Sequence, residues 1–243
     1  MTRSYDLKLD PFDERDLIYT KKLEKRPSSI DLRGDCSPVE DQGQMGSCTA
    51  NALVGNLEFL EKAKGEKMID LSRLFIYYNE RFIEHRENED SGSTLRDGIK
   101  ALKNFGTCPE SLWPYDEKLL FKKPDPKAYA EGEKRKISKY ERLKNLDDMR
   151  DCLAQGFPFV FGIKVFESFE SPIAKDTGFI PRPQLNEKFL GGHALLGVGY
   201  NDERQFLIIR NSWGPNWGKS GYGFLPYDYF TLGLTLDYWT IKK

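Results

Sequence analysis

Apolar positions follow two different rhythms along this chain, and the change comes near its middle. In the first half they recur every three or four residues. Leu53, Leu57 and Leu60, with Ala50 and Val54 beside them, predict a buried helix that begins near Ser47 and stops at Gly65. Ser72, a residue suited to capping, opens a second helical run through Phe75, Tyr78 and Phe82, and Thr94 opens a third through Leu95, Ile99 and Leu102 to Gly106. A short helix over 146–153, ended by Gly156, follows later. Beyond it the chain turns to runs rich in β-branched and aromatic residues: PFVFGIKVF, HALLGVGY, QFLIIRNSW, GYGFLPY and LTLDYWTI. Residues 201–204 join two of these runs closely enough for an antiparallel hairpin, with His193 on one arm and Asn211 on the other.

The remaining segments divide the chain. Residues 1–30 are strongly charged and carry Pro11, Pro27 and Ser28–Ser29, so they read as an N-terminal extension lying on a surface. Residues 31–143 form a mainly helical subdomain. Its last part, from Leu112 to Arg142, mixes Pro114, Pro124 and Pro126 with many lysines and reads as a partly helical surface connection. Residues 144–243 form a mainly β subdomain. Helices first and strands after give an α+β class, and no internal repeat is visible.

Composition narrows the function classes. The 243 residues are 39% hydrophobic and 13% aromatic, enough for a substantial core. Mean hydropathy is −0.62 and no run of membrane-spanning length occurs, so no membrane partner is expected. Lys and Arg number 37 against 38 Asp and Glu, which gives no general attraction for nucleic acid. The basic stretch between Lys118 and Lys144 is interleaved with Asp116, Asp125, Glu131, Glu133 and Glu141 and reads as a solvated surface. The N-terminal residues lack an apolar signal core, so the cytoplasm is the default expectation, with export by another route or an upstream truncation left open. Four cysteines (36, 48, 108, 152), no CxxC and two histidines argue against a disulfide scaffold or a zinc cluster.

Cys48 stands at the start of the first predicted helix, where free backbone N–H groups favour a thiolate. Alone it would read as a small buried residue. Three segments alter that: DQGQMGSCTAN, GGHALLGVGY and NSWGPNWGKSGYG. A glutamine shortly before Gly-Ser-Cys, a His-Ala opening an apolar strand to Val-Gly-Tyr, and then Asn-Ser-Trp-Gly resemble the papain-like cysteine peptidases. The resemblance runs in order over residues 31–225, with echoes in Ser91-Gly92-Ser93 and GTCPESLWPY.

This resemblance implies a cysteine endopeptidase, a hydrolase that needs no cofactor. It also implies a papain-like fold, with a helical left subdomain, an antiparallel sheet or barrel on the right and the active-site cleft between them. Cys48 would be the nucleophile, His193 its acid and base, Asn211 the group orienting His193, and Gln42 an oxyanion-hole donor. Trp213 resembles the indole that shields the His–Asn hydrogen bond. Gly92 and Ser93 resemble the wall along which a substrate backbone lies. Gly191 and Gly192 would leave room beside it for bulky apolar side chains. Partners would be peptide or protein substrates, with room for a separate protein inhibitor. His85, the competing histidine, sits in a charged helix end.

Departures from the pattern are local. Met45 stands where many secreted relatives have a bridging cysteine, and Thr49 where an aromatic is common. Cys36 and Cys108 could be a disulfide or two thiols, and Cys152 reads as a buried thiol. With about 30 residues before the core, the expectation is that the long inhibitory propeptide of many members is missing and that activity is controlled differently. The expectation is that the short extension, with residues 16–25 as the covering stretch, lies across the cleft. Rival readings are a Cys-dependent acyltransferase or amidase, and a non-catalytic binding protein of the same fold. Keeping all of Gln42, Cys48, His193 and Asn211 argues against the last.

Overall fold

A computed structural model describes residues 3–243. Its helical side is built on α1 (Cys48–Ala63), α2 (Arg73–Ile83) and α3 (Leu95–Phe105). Fourteen residues of α1, from Cys48 through Glu61, are buried, so this helix is a core element wrapped on every side rather than an amphipathic surface helix. It ends at Lys64, and Gly65 with φ 77° turns the chain away. Ser72 and Thr94 cap α2 and α3, each accepting from a backbone N–H three residues on, as the sequence predicts.

The other side is one antiparallel sheet. Its strands are β1 (Ser29–Asp31), β2 (Lys139–Arg142), β3 (Phe159–Phe166), β4 (Phe189–Asn201), β5 (Phe206–Arg210), β6 (Tyr222–Pro226) and β7 (Thr235–Lys242). The order is β2-β7-β3-β4-β5-β6, with β1 paired to the end of β4. The β4–β5 hairpin has the expected register, Asn201 facing Phe206 and Leu196 facing Arg210. Short helices α4 (Pro126–Gly132), α5 (Leu146–Ala154), α6 (Pro172–Thr177) and α7 (Asp228–Thr231) complete the chain.

Two strands come from segments that read as surface. β2 lies inside the supposed connection, and its charged sequence KYER hides a pairing with the C-terminal strand β7. Charged residues are what an edge strand carries to prevent further pairing, so its pattern mimics a loop. The core has two parts. One gathers α1, α2 and α3 with β4 and β7 around Leu53, Leu57, Phe75 and Val198; the other lies on the far face of the sheet around Phe161, Leu195, Leu207 and Trp213.

The N-terminal stretch wraps the molecule in two segments. Residues 3–8 enter the cleft between Ser93 and Gly192. Residues 10–26 then follow β2 and α5: Tyr19 N–H donates to Arg142 O, and Arg26 pairs with Asp151. Residues 16–25 therefore lie on the outside of the β subdomain, and the stretch in the cleft is 3–8. The expectation failed because the acidic and basic residues of 16–26 have carboxylate and guanidinium partners at Arg96, Arg142, Asp148 and Asp151.

Candidate active site

Cys48 is the first residue of α1, 1% exposed, with the Thr49 and Ala194 backbone N–H groups directed at its sulfur. Ala194 follows His193 on β4, so the thiol at the helix start and the imidazole on the sheet belong to neighbouring parts of one site. The hairpin brings Asn211 alongside: Nε2 of His193 and Oδ1 of Asn211 are 2.8 Å apart. The Ser212 N–H donates to the same Oδ1 at 2.8 Å, which fixes it as the acceptor. The His193 proton therefore sits on Nε2. Its Nδ1 is buried without a hydrogen-bond partner and is the lone pair available to a thiol. Trp213 stacks on the imidazole, centroids 5.0 Å apart at 29°, and is itself 4% exposed.

Gln42 is buried, with its amide held at both ends. Oε1 accepts from Ser212 Oγ at 2.6 Å, and Nε2 donates to Met45 O at 2.9 Å. One Nε2 hydrogen remains, as an oxyanion donor requires. Ser212, which orients both Gln42 and Asn211, carries no signal in the sequence beyond its place in Asn-Ser-Trp. Thr49 donates to the buried Glu80 at 2.5 Å, so the residue that replaces an aromatic packs beneath the helix start through a hydrogen bond.

The glycines read as a substrate wall hold the chain's own backbone. Gly192 N–H donates to Tyr5 O at 3.2 Å, Leu7 N–H to Gly192 O at 3.2 Å, and Lys8 N–H to Ser93 O at 3.1 Å. A Cβ on Gly92 (φ 61°) would lie 2.0 Å from Asp6 O, one on Gly191 (φ 142°) 2.5 Å from Tyr5 O, and one on Gly192 2.6 Å from Leu7 O. Any side chain at these three positions would expel the segment. Tyr5 meets His193 and Trp213 edge-on, and the Arg3 guanidinium lies 4.1 Å from the Trp213 ring centre.

Burial under this segment sets the electrostatics. It pushes the Cys48 thiol up to about 12 against the Ala194 and Thr49 N–H groups, with Glu80 and, less, Asp6 adding to the rise. It takes His193 down to about 4, against the support of Asn211, with Arg3 adding to the fall. Asp6 is itself raised, first by burial and then by Asp90, with Lys8 opposing. Both groups are neutral in this state. The segment sets the Asp6 carboxyl group near the sulfur and the Arg3 cation near the imidazole, a placement that opposes a thiolate–imidazolium pair.

The rest of the candidate chemistry lies elsewhere. His85 is exposed at the end of α2, with φ 57°. All four cysteines are free, and Cys152 is buried with its thiol 3.3 Å from Phe157 O. The basic stretch is paired internally, as in Lys134–Glu131 and Lys136–Glu133.

Residues 26–229 match the model of the papain family cysteine proteases. The chain belongs to that family. It is a papain-like cysteine endopeptidase, a thiol-dependent hydrolase with the α+β fold of the family. Among its relatives, an uncharacterised peptidase C1-like protein of Acanthamoeba polyphaga mimivirus is 42% identical over 214 residues, covering 84% of this chain and 69% of that one. Chymopapain of Carica papaya is 29% identical over 229 residues, which are 88% of this chain and 58% of the chymopapain sequence. The crystal structure of xylellain, a cysteine protease from Xylella fastidiosa, superposes with a TM-score of 0.92 at 40% identity, covering 98% of this chain and 96% of that one.

Proposed function

We propose that this family member cleaves peptide bonds by acyl transfer to Cys48, and that residues 3–8 hold the site shut until they leave the cleft. In the open site, Nδ1 of His193 takes the Cys48 proton, and the sulfur attacks the substrate carbonyl carbon. The developing oxyanion is met by the free Nε2–H of Gln42 and the backbone N–H of Cys48. The imidazolium returns its proton to the departing amine, and Asn211 keeps the ring aligned throughout. Water, deprotonated by His193, then hydrolyses the thioester and frees Cys48.

The observation that carries this reading is the His193 Nε2–Asn211 Oδ1 contact of 2.8 Å beneath Trp213, which leaves Nδ1 without a hydrogen-bond partner one residue before the Ala194 N–H that faces the Cys48 sulfur. The segment supports its second half, since it takes the backbone positions a substrate would use and biases both reacting groups to their neutral forms. Leu7 indicates what the neighbouring pocket accepts. Its side chain lies over Gly162 and against Leu236, a setting for a bulky apolar residue.

The test is hydrolysis of a fluorogenic peptide library under reducing conditions by the full chain, by a form lacking residues 1–9, and by Cys48→Ala in each. Turnover greater in the shortened form, abolished by Cys48→Ala and blocked by a thiol-directed epoxide is expected. A shortened, folded protein that neither turns over peptide nor takes up the epoxide at Cys48 would overturn the reading. Gln42→Ala in the shortened form is expected to lose roughly 3–4 kcal/mol of transition-state stabilisation, seen mainly in kcat.

A further inference from the structure

One end of the cleft-bound segment does something the catalytic reading does not use. Arg3 places its guanidinium carbon over Trp213, 4.1 Å from the ring centre, and forms no ion pair among the described residues. It borders a cavity of about 430 Å³ walled by Trp213 and Trp217, with Asp41 and Glu170 exposed along it and Lys175 as the other cation. Phe169 stacks beneath Trp217 and edge-on to Trp213, so the aromatic wall is rigid. Asp41 is fixed beside Trp213 by backbone pairing and accepts from Gly43 N–H at 2.9 Å; Glu170 accepts from the Tyr5 hydroxyl. A π face with two carboxylates around it attracts a cation that can also spread flat, which a guanidinium does better than an ammonium.

We infer that the leaving-amine side of the cleft ends in a subsite for a basic side chain, arginine above lysine, and that Arg3 is its resident occupant. The inference rests on the peptidase reading above for its sidedness. With the Gly92–Ser93 wall taken as the acyl side of the cleft, Lys8 N–H binds on that side at Ser93 O, and Arg3, at the other end of the same segment, lies on the side from which the amine departs. Tyr5 and Asp6 fill the centre between them. Substrates with arginine a short way beyond the scissile bond would place that side chain where Arg3 now lies. The same contact gives the segment a basic anchor at its own end, so closure and substrate choice draw on one site.

Two measurements on the full chain separate this inference from the reading it rests on. The first needs no turnover: the rate at which an epoxide labels Cys48. Arg3→Ala is expected to raise that rate several-fold and Arg3→Glu further, while Arg3→Lys stays nearest the parent, as a cation on an indole predicts. Equal rates for Ala, Lys and Arg would overturn the cation site even if the enzyme is a peptidase. The second uses Arg3→Ala/Leu7→Ala, in which the segment is weakened and the subsite vacated. Internally quenched peptides with one acyl half and varied leaving halves are compared with the same acyl half on a coumarin. Arginine on the leaving side is expected to raise kcat/KM about tenfold over alanine, with glutamate below alanine and the arginine advantage reduced by Glu170→Gln or Asp41→Asn. Coumarin release with no preference on the leaving side would overturn the subsite alone. Absence of coumarin release from a protein whose Cys48 still labels would overturn the peptidase reading and the substrate half of the inference with it.

Discussion

Residues 3–8 and residues 10–26 are neighbouring stretches of chain held by different balances of backbone, apolar and ionic contacts. The first is bound by three backbone hydrogen bonds to Ser93 and Gly192, by Leu7 in a shallow apolar seat, by Arg3 on an indole, by the Tyr5 hydroxyl on Glu170 and by the ion pair of Lys8 with Glu84. The second is bound by charge. Arg142 reaches Asp10 at 3.2 Å, Asp16 at 3.0 Å and Asp237 at 3.0 Å; Arg96 reaches Asp16 at 2.6 Å; Trp239 Nε1 donates to Asp10 at 2.7 Å. Backbone hydrogen bonds contribute about 1 kcal/mol net each and are exchanged for water at little cost. Breaking a buried ion network by removing one partner costs about 3–5 kcal/mol, because the others remain buried and unpaired. Under the proposed function, the contrast assigns departure to residues 3–8 and retention to residues 10–26.

The largest test of that contrast is deletion. Removing residues 1–9 is expected to raise turnover about 10- to 1,000-fold, the range set by an open state populated at roughly 0.1–10%, with little change in melting temperature. Removing residues 1–28 strips the ion network as well and should give a protein that melts far lower; a fully stable and active product would erase the distinction. Next comes Arg142→Ala, which leaves Asp10, Asp16 and Asp237 without their shared partner. A loss of about 3–5 kcal/mol is expected, a fall of roughly 6–20 °C in Tm by calorimetry. A smaller effect belongs to Leu7→Ala. Loss of about 1–2 kcal/mol of apolar burial in the closed state should speed epoxide labelling of Cys48 by about 5- to 30-fold without moving Tm.

The smallest is pH. Asp6 is raised in the closed state by burial and by Asp90, so closure favours its protonated form. Stabilisation of the closed state is therefore fully present at acid pH and is lost as pH rises through the ordinary carboxylate range and beyond. The ratio of full-chain to shortened-chain turnover should climb over that interval. Asp6→Asn should flatten the climb, and a ratio that falls as pH rises would contradict the assignment. Asp10, raised to about 6 chiefly by burial and by Asp237, carries the same sign on the charged segment, so the shortened form is the necessary reference.

Legibility in the sequence followed the range of the interactions. α1, α2 and α3 were readable because their periodicity and capping residues are local, and the β4–β5 hairpin because its turn is short. The placement of His193 beside Asn211 follows from that hairpin alone. Gln42 was readable only through resemblance, since the Ser212 hydroxyl that orients it comes from the other subdomain. The cleft segment was missed for a different reason. Tyr5, Leu7 and Leu9 alternate with polar residues, a strand signal, but charge dominates the surrounding composition and the partners are glycines at 92 and 191–192. A glycine wall advertises nothing about which chain it will hold. β2 was missed likewise, because its pairing with β7 spans about a hundred residues.

Leu9, the joint between the two segments, is 70% exposed. As long as that joint is whole, residues 3–8 meet their site at a local concentration of roughly millimolar, set by the short tether to Asp10. Any free competitor has to outbid that figure, so inhibitors screened on the intact chain will rank by how they displace a neighbour rather than by intrinsic fit. A single scission at the joint changes the arithmetic: the freed segment dilutes away to whatever concentration the surroundings allow, and opening becomes irreversible without any change in the rest of the fold.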